Sequence, residues 1–505
     1  MMYMNKKTKL LFWNNQFMLH YCLAYELQKN FECELYGIFD VPNNLKSFFK
    51  TQKIVNYKKK WFYHDHISLN KKPDLQYLAN FEEKYNLNLW QLAINERIFF
   101  KYNLYHKFSK NEILSILETE CNLFEEILET TNPDYLLTID PGLHSGNLFS
   151  QLCKKKSIPV LMLNLSKFPN QCYISQSIHT LDDEINPVDN QNFSFEDIQK
   201  LLEENNLSKD LKHLYSQIRT SKTSRIHAGM NVFLNKNFNI NSNYAYYGRT
   251  KTKLLVTELK ISKETRKRKF FLDKNCHKKI SDEKFIYLPL NQEPERSLLL
   301  DAPYFTNQIE TIRHIAKSIP IDYILYVKEH PTQGKARGWR PISDYKSIID
   351  IPNVKLIHHD ISSTELIKKS SLVITAGGTA SFESQIYNTP SIMFANLGYR
   401  KMGSIEKITT LDELPKKIKF CLNSKVDLKK LSSYVSSLLK HSFIFDFFGF
   451  QIRSGNAFFY NENLADVKIN ENDMINFLKT EKSNLDKLCN AHIKKIENYK
   501  KNLSI

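Results

Sequence analysis

"DYLLTIDPGLHSGNLFSQLCKKKSIPVLMLNL", residues 134–165, is the stretch that decides the fold. Residues 134–140 form an apolar run of strand length that ends in an aspartate. Pro141 and Gly142 turn the chain, residues 145–157 carry helical spacing, and 159–165 is a second apolar run. Strand, helix and strand at these spacings read as a βαβ unit, and hence as a mostly parallel sheet with helices on both faces. The same alternation runs upstream. "KLLFWN" (9–14) and "ECELYGIFD" (32–40) read as strands on either side of a helix in "FMLHYCLAYELQKN" (17–30). "NEILSILETECNLFEEILETTN" (111–132) is an amphipathic helix with apolar residues at 113, 114, 117, 124, 127 and 128, and it leads into the first quoted strand.

The alternation stops near 181 and restarts at 285. "FIYLPL" (285–290), "DYILYVKEHP" (322–331), "NVKLIHHD" (353–360), "SLVITAGG" (371–378) and "PSIMFAN" (390–396) read as strands. Helical segments at 306–319, 362–370 and 379–388 separate them, and Ser362 with Glu365 fits a capping box. The expected fold class is α/β: two Rossmann-like parallel-sheet domains facing a cleft. Residues 1–180 and 281–425 would form the domains, and 181–280 a mainly helical insert or connector. Residues 426–505 would be C-terminal helices packing back on the cleft. No repeat of 20–50 residues is present.

Bulk properties narrow the function classes. A chain of 505 residues suggests two or three domains, and 42% hydrophobic and 12% aromatic residues suffice for real cores. The formal charge of +17 favours anionic partners, although a Lys-, Asn- and Ile-rich composition dilutes that inference. Eight cysteines are scattered with no CxxC pair, as expected of reduced, buried thiols in a cytosolic protein. The N-terminus lacks an apolar region of signal length, and no stretch of about 18 apolar residues exists to span a membrane. The expected location is cytoplasmic, with peripheral attachment to the inner membrane left open. The charge run "KETRKRKFF" (263–271) reads as a solvated helix face sooner than a nucleic-acid patch, because aromatic residues scarcely interleave it.

In open parallel sheets, ligands bind beyond the carboxyl ends of the strands. In the second half that rule selects Asn291–Glu295, Lys328–Pro331 and Gly377–Thr379. "TAGGTASFES" (375–384) is a phosphate candidate. Gly377 and Gly378 allow close backbone approach and positive φ, a helix starts near Thr379, Thr379 and Ser381 add hydroxyls, and Glu383 can accept from a ribose or sugar. The alternative is a plain strand-to-helix turn. His330 beside Lys328 reads either as a donor to a leaving-group phosphate or as an ordinary loop histidine. Arg337 and Arg340 read as phosphate ligands or solvated charge. In the first half, Asp140 and His144 flank the Pro-Gly turn, and either could be a general base; Asp140 could equally be a turn former. "HDH" (64–66) lacks a third ligand at useful spacing, "LDDE" (181–184) is not at a strand end, and no GxSxG elbow appears, so no metal site is expected. The Gly-rich turn is neither a Walker A motif nor GxGxxG.

Together, "YLPLNQEPERS" (287–297), "LYVKEHP" (325–331), "LVITAGGTASFES" (372–384) and "TPSIMF" (389–394) resemble bacterial capsular and surface-polysaccharide biosynthesis proteins. That group includes β-Kdo transferases and is similar in logic to bacterial sialyl- and polysialyltransferases. Residues 133–163 resemble the N-terminal half of the same proteins. The resemblance implies a GT-B fold, with a nucleotide-sugar donor as co-substrate on the C-terminal domain and no permanently bound cofactor. It implies metal-independent transfer to a saccharide or lipid-linked acceptor on the N-terminal side. His330 would contact the donor phosphate, Thr379 and Ser381 the nucleotide or phosphate region, and Glu295 and Glu383 the ribose or sugar. The sequence departs from relatives at "NLSKFPNQ" (164–171), where they often carry an arginine-containing segment, and it has no acidic-acidic-glycine base motif.

The leading expectation is a glycosyltransferase for capsule or another surface polysaccharide, with a CMP-linked acidic sugar as one candidate donor. A nucleotide-sugar epimerase of the UDP-GlcNAc 2-epimerase type shares the architecture but would need more acidic residues in the cleft. A degenerate GT-B scaffold held at the anionic inner membrane by its basic charge is the non-enzymatic alternative. Nucleic-acid binding is the least favoured, since the basic residues are spread along the chain.

Overall fold

The computed structural model describes residues 7–99, 101–168, 170–182, 192–203, 229–230, 243–331, 333, 340–398 and 402–503. The first sheet contains β1 (Thr8–Asn15), β2 (Cys33–Asp40), β3 (Tyr57–Phe62), β4 (Tyr135–Ile139), β5 (Val160–Leu165) and β6 (Gln171–Ser175). The second contains β7 (Phe285–Pro289), β8 (Ile324–Lys328), β9 (Val354–Ile357), β10 (Leu372–Thr375), β11 (Ser391–Met393) and β12 (Ile405–Lys407), and β13 (Phe443–Ile444) returns to the first. The strand orders are β13-β6-β5-β4-β1-β2-β3 and β12-β11-β10-β7-β8-β9. All pairings are parallel except β5 with β6 and β6 with β13. The two expected parallel-sheet domains are present.

Continuous apolar strands work here because both faces of each sheet are covered. In β1, Leu10 and Phe12 enter one core while Leu11 and Trp13 enter the core on the opposite face. β4 and β5 split in the same way, with Leu137 and Leu163 on the first side and Leu136 and Met162 on the second. In the second domain, Ile286, Leu325 and Ile374 face one side, and Tyr287, Tyr326 and Val373 the other. The helix Lys110–Thr131 covers the second face of the first sheet, and all six of its expected apolar positions are buried. A full capping box of Ser109 and Glu112 starts it. At Ser362 only half of the expected box forms, with its hydroxyl accepting from Glu365 N–H.

The C-terminal helices differ from expectation. The helix Leu428–His441 packs on the second domain, placing Leu431, Val435 and Leu438 beside Phe382 and Met393. The chain then crosses back. Helices Phe447–Phe458, Glu471–Thr480 and Lys482–Leu503 bury Phe450, Met474, Leu478, Leu485 and Leu488 against the core shared with the helix Leu19–Asn30. Most of this segment therefore seals one face of the first sheet and does not pack on the cleft. The driving force is apolar burial, roughly 1.5–3 kcal/mol per large side chain.

Of the 181–280 connector, the helices Phe195–Glu203 and Lys251–Asn275 are described; the continuation of the expected helix beyond 203, and residues 221–228 and 231–242 of the Asn/Ser/Tyr-rich stretch, lie outside the described residues. All eight cysteines are unpaired, six of them buried. No helix among the described residues is long and apolar enough to cross a membrane.

Candidate functional site

Because the second sheet is parallel throughout, the ends of β7, β8 and β10 lie on one edge. The first domain brings the ends of β4 and β5 to that edge. Arg296, on the short helix after β7, forms an ion pair with Asp140 after β4. Phe168, three residues past β5, packs edge-on against Phe382 with ring centroids 6.0 Å apart. Tyr102 of the first domain donates to Glu293 of the second at 3.2 Å.

After β10, the Gly378 N–H donates to Thr375 Oγ1 at 3.0 Å and closes the turn. A Cβ at Gly377 would lie 3.0 Å from Ala395 Cβ and 3.1 Å from the Ser297 carbonyl oxygen. Close approach thus explains the glycine; neither Gly377 nor Gly378 is among the glycines with positive φ, contrary to expectation. Thr379 is exposed and its hydroxyl donates to Glu383 at 3.2 Å. Ser381 does not reach the cleft: it is fully buried, with its hydroxyl 3.1 Å from that of Ser391. The following helix, Ala380–Ile386, is only seven residues long, so charge at this edge comes mainly from side chains.

Lys328 ends β8, buried, with its Nζ donating to Ser363 Oγ at 2.7 Å. His330 is half-buried, and burial lowers its pKa, with Glu329 opposing and Lys328 adding to the effect. The imidazole is therefore neutral near pH 7 and able to donate an N–H. Glu295 opens the helix Arg296–Leu299, and burial raises its pKa. Burial raises that of Glu383 as well, opposed by Lys167 and Lys328.

Arg340 is not a solvated charge but part of a buried ion-pair cluster. It is buried, with Nε 2.8 Å from Glu329 and Nη1 3.4 Å from Glu293. Tyr345 donates to the same Glu329 carboxylate at 2.7 Å, and Gln308 donates to Glu293 at 2.7 Å. Arg337 and Lys335 lie outside the described residues.

Across the cleft, burial lifts Asp140 to about 7, with Arg296 opposing. His144 sits elsewhere. It is fully buried, with Nδ1 2.7 Å from Glu96 and Nε2 2.9 Å from Glu120. Burial alone would lower its pKa, but the two carboxylates lift it to about 10. A buried imidazolium clamped between two acids cannot serve as base for a substrate, so the general-base reading of His144 is corrected to a structural one. "HDH" is likewise structural at His64, whose Nε2 lies 2.9 Å from Asp40.

Sequence reasoning missed Lys167 and Arg296. Burial pushes Lys167 down to about 8, with Glu383, Glu295 and Asp140 pulling the other way. One amine is thus set among acids of both domains. The signal was available: Lys167 is two residues past β5 and falls under the same strand-end rule. It also lies inside the "NLSKFPNQ" departure. Arg97 completes the group, donating from Nη2 to the Gly142 carbonyl at 2.9 Å. Among the described residues, one His/Asp group could hold a metal, His358–His359–Asp360, but His358 Nε2 is already 3.0 Å from Asp273.

Comparison with known proteins adds family context. The profile of the family described as "Capsule polysaccharide biosynthesis protein" matches residues 186–413, which include the 287–297, 325–331 and 372–394 motifs. The resemblance drawn from those motifs is borne out. No curated protein matches the chain in sequence. Among solved structures, the UDP-GlcNAc 2-epimerase from Methanocaldococcus jannaschii is 13% identical, with a TM-score of 0.25, covering 86% of this chain and 99% of that one. The β-Kdo 2,7 transferase KpsC from Thermosulfurimonas dismutans is 14% identical, with a TM-score of 0.29, covering 64% and 82%. The UDP-GlcNAc 2-epimerase from Neisseria meningitidis, solved bound to UDP-GlcNAc, is 13% identical, with a TM-score of 0.25, covering 86% and 100%. These superpositions are loose, and the two-sheet architecture rests on the strand order itself.

Proposed function

We propose that this chain, matched over 186–413 by the capsule polysaccharide biosynthesis family, is a metal-independent glycosyltransferase of GT-B type. It would transfer a sugar from a nucleotide-activated donor to a growing capsule or surface polysaccharide or glycolipid. The observation that carries the reading is the interdomain group of Lys167, Arg296 and Asp140 facing Glu295 and Glu383. Lys328, His330 and the Gly377–Gly378 turn lie on the same sheet edge.

In the proposed reaction an acceptor hydroxyl attacks the anomeric carbon of the donor. The bond from that carbon to the phosphate oxygen breaks, and the nucleotide leaves with the electron pair. Asp140 takes the hydroxyl proton; a carboxyl near 7 is suited to that exchange at neutral pH. Lys167, Lys328 and the His330 N–H would stabilise the departing phosphate, in a cleft where excluded water strengthens each interaction. Arg296 would release Asp140 as the donor's own negative charge arrives. Lys167, Lys328 and Arg97 could meet a donor that carries both phosphate and carboxylate, so a CMP-linked acidic sugar is the first candidate. Peripheral contact with the anionic inner membrane belongs to the same proposal, supported by the net charge of +17 and the exposed Leu255, Val256 and Leu259 among lysines.

The test is nucleotide release from CMP-, UDP- and GDP-sugars, followed by NMR with and without oligosaccharide acceptors. Acceptor-dependent release that Asp140→Asn abolishes is expected; acceptor-dependent release unchanged in Asp140→Asn refutes the base assignment. One observation favours the epimerase reading: three carboxyls, Asp140, Glu295 and Glu383, surround Lys167 in the cleft. Sugar-nucleotide turnover without any acceptor would support that reading instead.

A further inference from the structure

A cavity of about 860 Å³ lies beside the cleft. Its walls are the Tyr102–Tyr105 loop, the turn around Tyr246, the helix Lys251–Asn275, residues 340–342 and the segment 462–466. The donor-side residues Lys328, His330, Gly377, Thr379 and Glu383 do not line it. Arg97, Leu143 and Pro294 also line it. Arg97 holds the Gly142 carbonyl, and its charge acts on both Asp140 and Glu295, so one residue of the lining links the cavity to the reacting groups.

The lining has a definite chemistry. The Arg249 guanidinium is 5.0 Å from the Tyr105 ring and 4.7 Å from that of Tyr246, bracing two aromatic walls. Charges of both signs alternate with these rings: Arg97, Lys260, Arg268 and Arg340, with Arg249, against Glu258, Glu264, Glu462 and Asp466. A lipid chain would meet too many charges here, and a nucleotide's phosphates would have to face the carboxylates as well as the cations. A polyhydroxylated ring fits, since its apolar face stacks on tyrosine and its hydroxyls bond to acids, amides and guanidinium groups. The volume falls within the ~300–1,000 Å³ range of small-molecule sites.

The backbone gives an independent sign. Tyr460, Asn461 and Glu462 are three consecutive non-glycine residues with φ of 48°, 54° and 61°. Such left-handed runs persist where the surroundings enforce them, and they cluster at binding sites. Here the run delivers Glu462 and the following residues into the cavity wall.

We propose that this cavity holds the acceptor, a saccharide of more than one ring, with its terminal hydroxyl directed past Arg97 toward Asp140. The assignment rests on the transferase reading above. It is tested by filling the cavity from the helix side with Thr257→Trp and, one turn earlier, Leu254→Trp. Labelled wild type and both variants are applied to a printed array of bacterial surface oligosaccharides. Melting temperatures are measured with and without CMP, UDP and GDP. Wild type should bind at least one oligosaccharide, and each folded variant should lose tenfold or more of that affinity while keeping the nucleotide-induced rise in melting temperature. Undiminished oligosaccharide binding in a folded variant, or none by wild type at millimolar ligand, overturns the assignment. If oligosaccharide binding falls in the variants while no nucleotide shifts the wild type, the cavity assignment stands and the donor reading fails.

Discussion

Replacing Arg340 with Met separates two accounts of the opposing side of the cleft. Arg340 is 2% exposed, Glu329 1% and Glu293 6%, so the three charges share a nearly dry interior. Burial disfavours the guanidinium charge, and the Glu329 and Glu293 carboxylates override it and keep Arg340 firmly protonated. In Arg340→Met, Glu329 still accepts from the Tyr345 hydroxyl and from the backbone N–H of His330, but no cation among the described residues faces it at ion-pair distance. Glu293 keeps Gln308, Tyr102 and the exposed Lys101 at 3.6 Å. Removing one partner from a buried ion pair typically costs about 3–5 kcal/mol. For a domain of about 150 residues that corresponds to a fall of roughly 10 °C in melting temperature, at about 2–4 °C per kcal/mol. Scanning calorimetry should show the loss, and Glu329→Gln in the Arg340→Met background should recover part of it. A fall below about 3 °C together with lost nucleotide binding would refute the strut and restore Arg340 as a phosphate ligand.

Other perturbations follow from the same structure. His144 rises from 6.5 to about 10 on folding, so its contribution is full below pH 6.5 and is lost as pH rises through 10. His144→Gln should therefore flatten the alkaline fall in melting temperature between pH 7 and 10; an unchanged slope contradicts the paired imidazolium. His20 and His492 move the other way, from 6.5 to about 3 and about 4. Their contribution is present above pH 6.5 and lost as pH falls toward 4 and 3, so acid unfolding should shift to lower pH when both are replaced by Phe, and an unchanged midpoint would contradict it. Gly377→Ala should destabilise the second domain by about 1–3 kcal/mol, because its Cβ meets Ala395 and the Ser297 carbonyl; a denaturation midpoint equal to wild type would show that the turn has slack. Lys167, near 8, should make nucleotide affinity decline above pH 8, and Lys167→Arg should carry the plateau to higher pH; a wild-type profile flat to pH 10 removes Lys167 from the site.

The sheets were legible because their strands are apolar on both faces and separated by helices of regular spacing, as in residues 134–165. Strand-end geometry then pointed to Asp140, Lys328, His330 and the Gly-Gly turn without any single decisive motif. Burial of polar residues was not legible. His144 and Arg340 stand in loop-like sequence, and only tertiary packing surrounds them with Glu96 and Glu120 or with Glu293 and Glu329. Ser381 looked available for the same reason, although its helical position turns it toward Ser391. β3, YKKKWF, was hidden by its three lysines and β6, QCYIS, by its polar ends, while β12 and β13, three and two residues long, leave too short a pattern to detect. The destination of the C-terminal helices depends on which apolar face of the first sheet is still uncovered, which no local period records.

The central claim is that the edge formed by β7, β8 and β10, closed by Lys167, holds a nucleotide-activated donor. Thermal unfolding of the wild-type chain with CMP, UDP and GDP tests it most directly, since a ligand that binds only the folded state must raise the melting temperature. The account predicts a rise with one of the three that His330→Ala, Thr379→Ala and Lys167→Ala each diminish. No shift with any nucleotide at millimolar concentration, or equal shifts in all three variants, would contradict it.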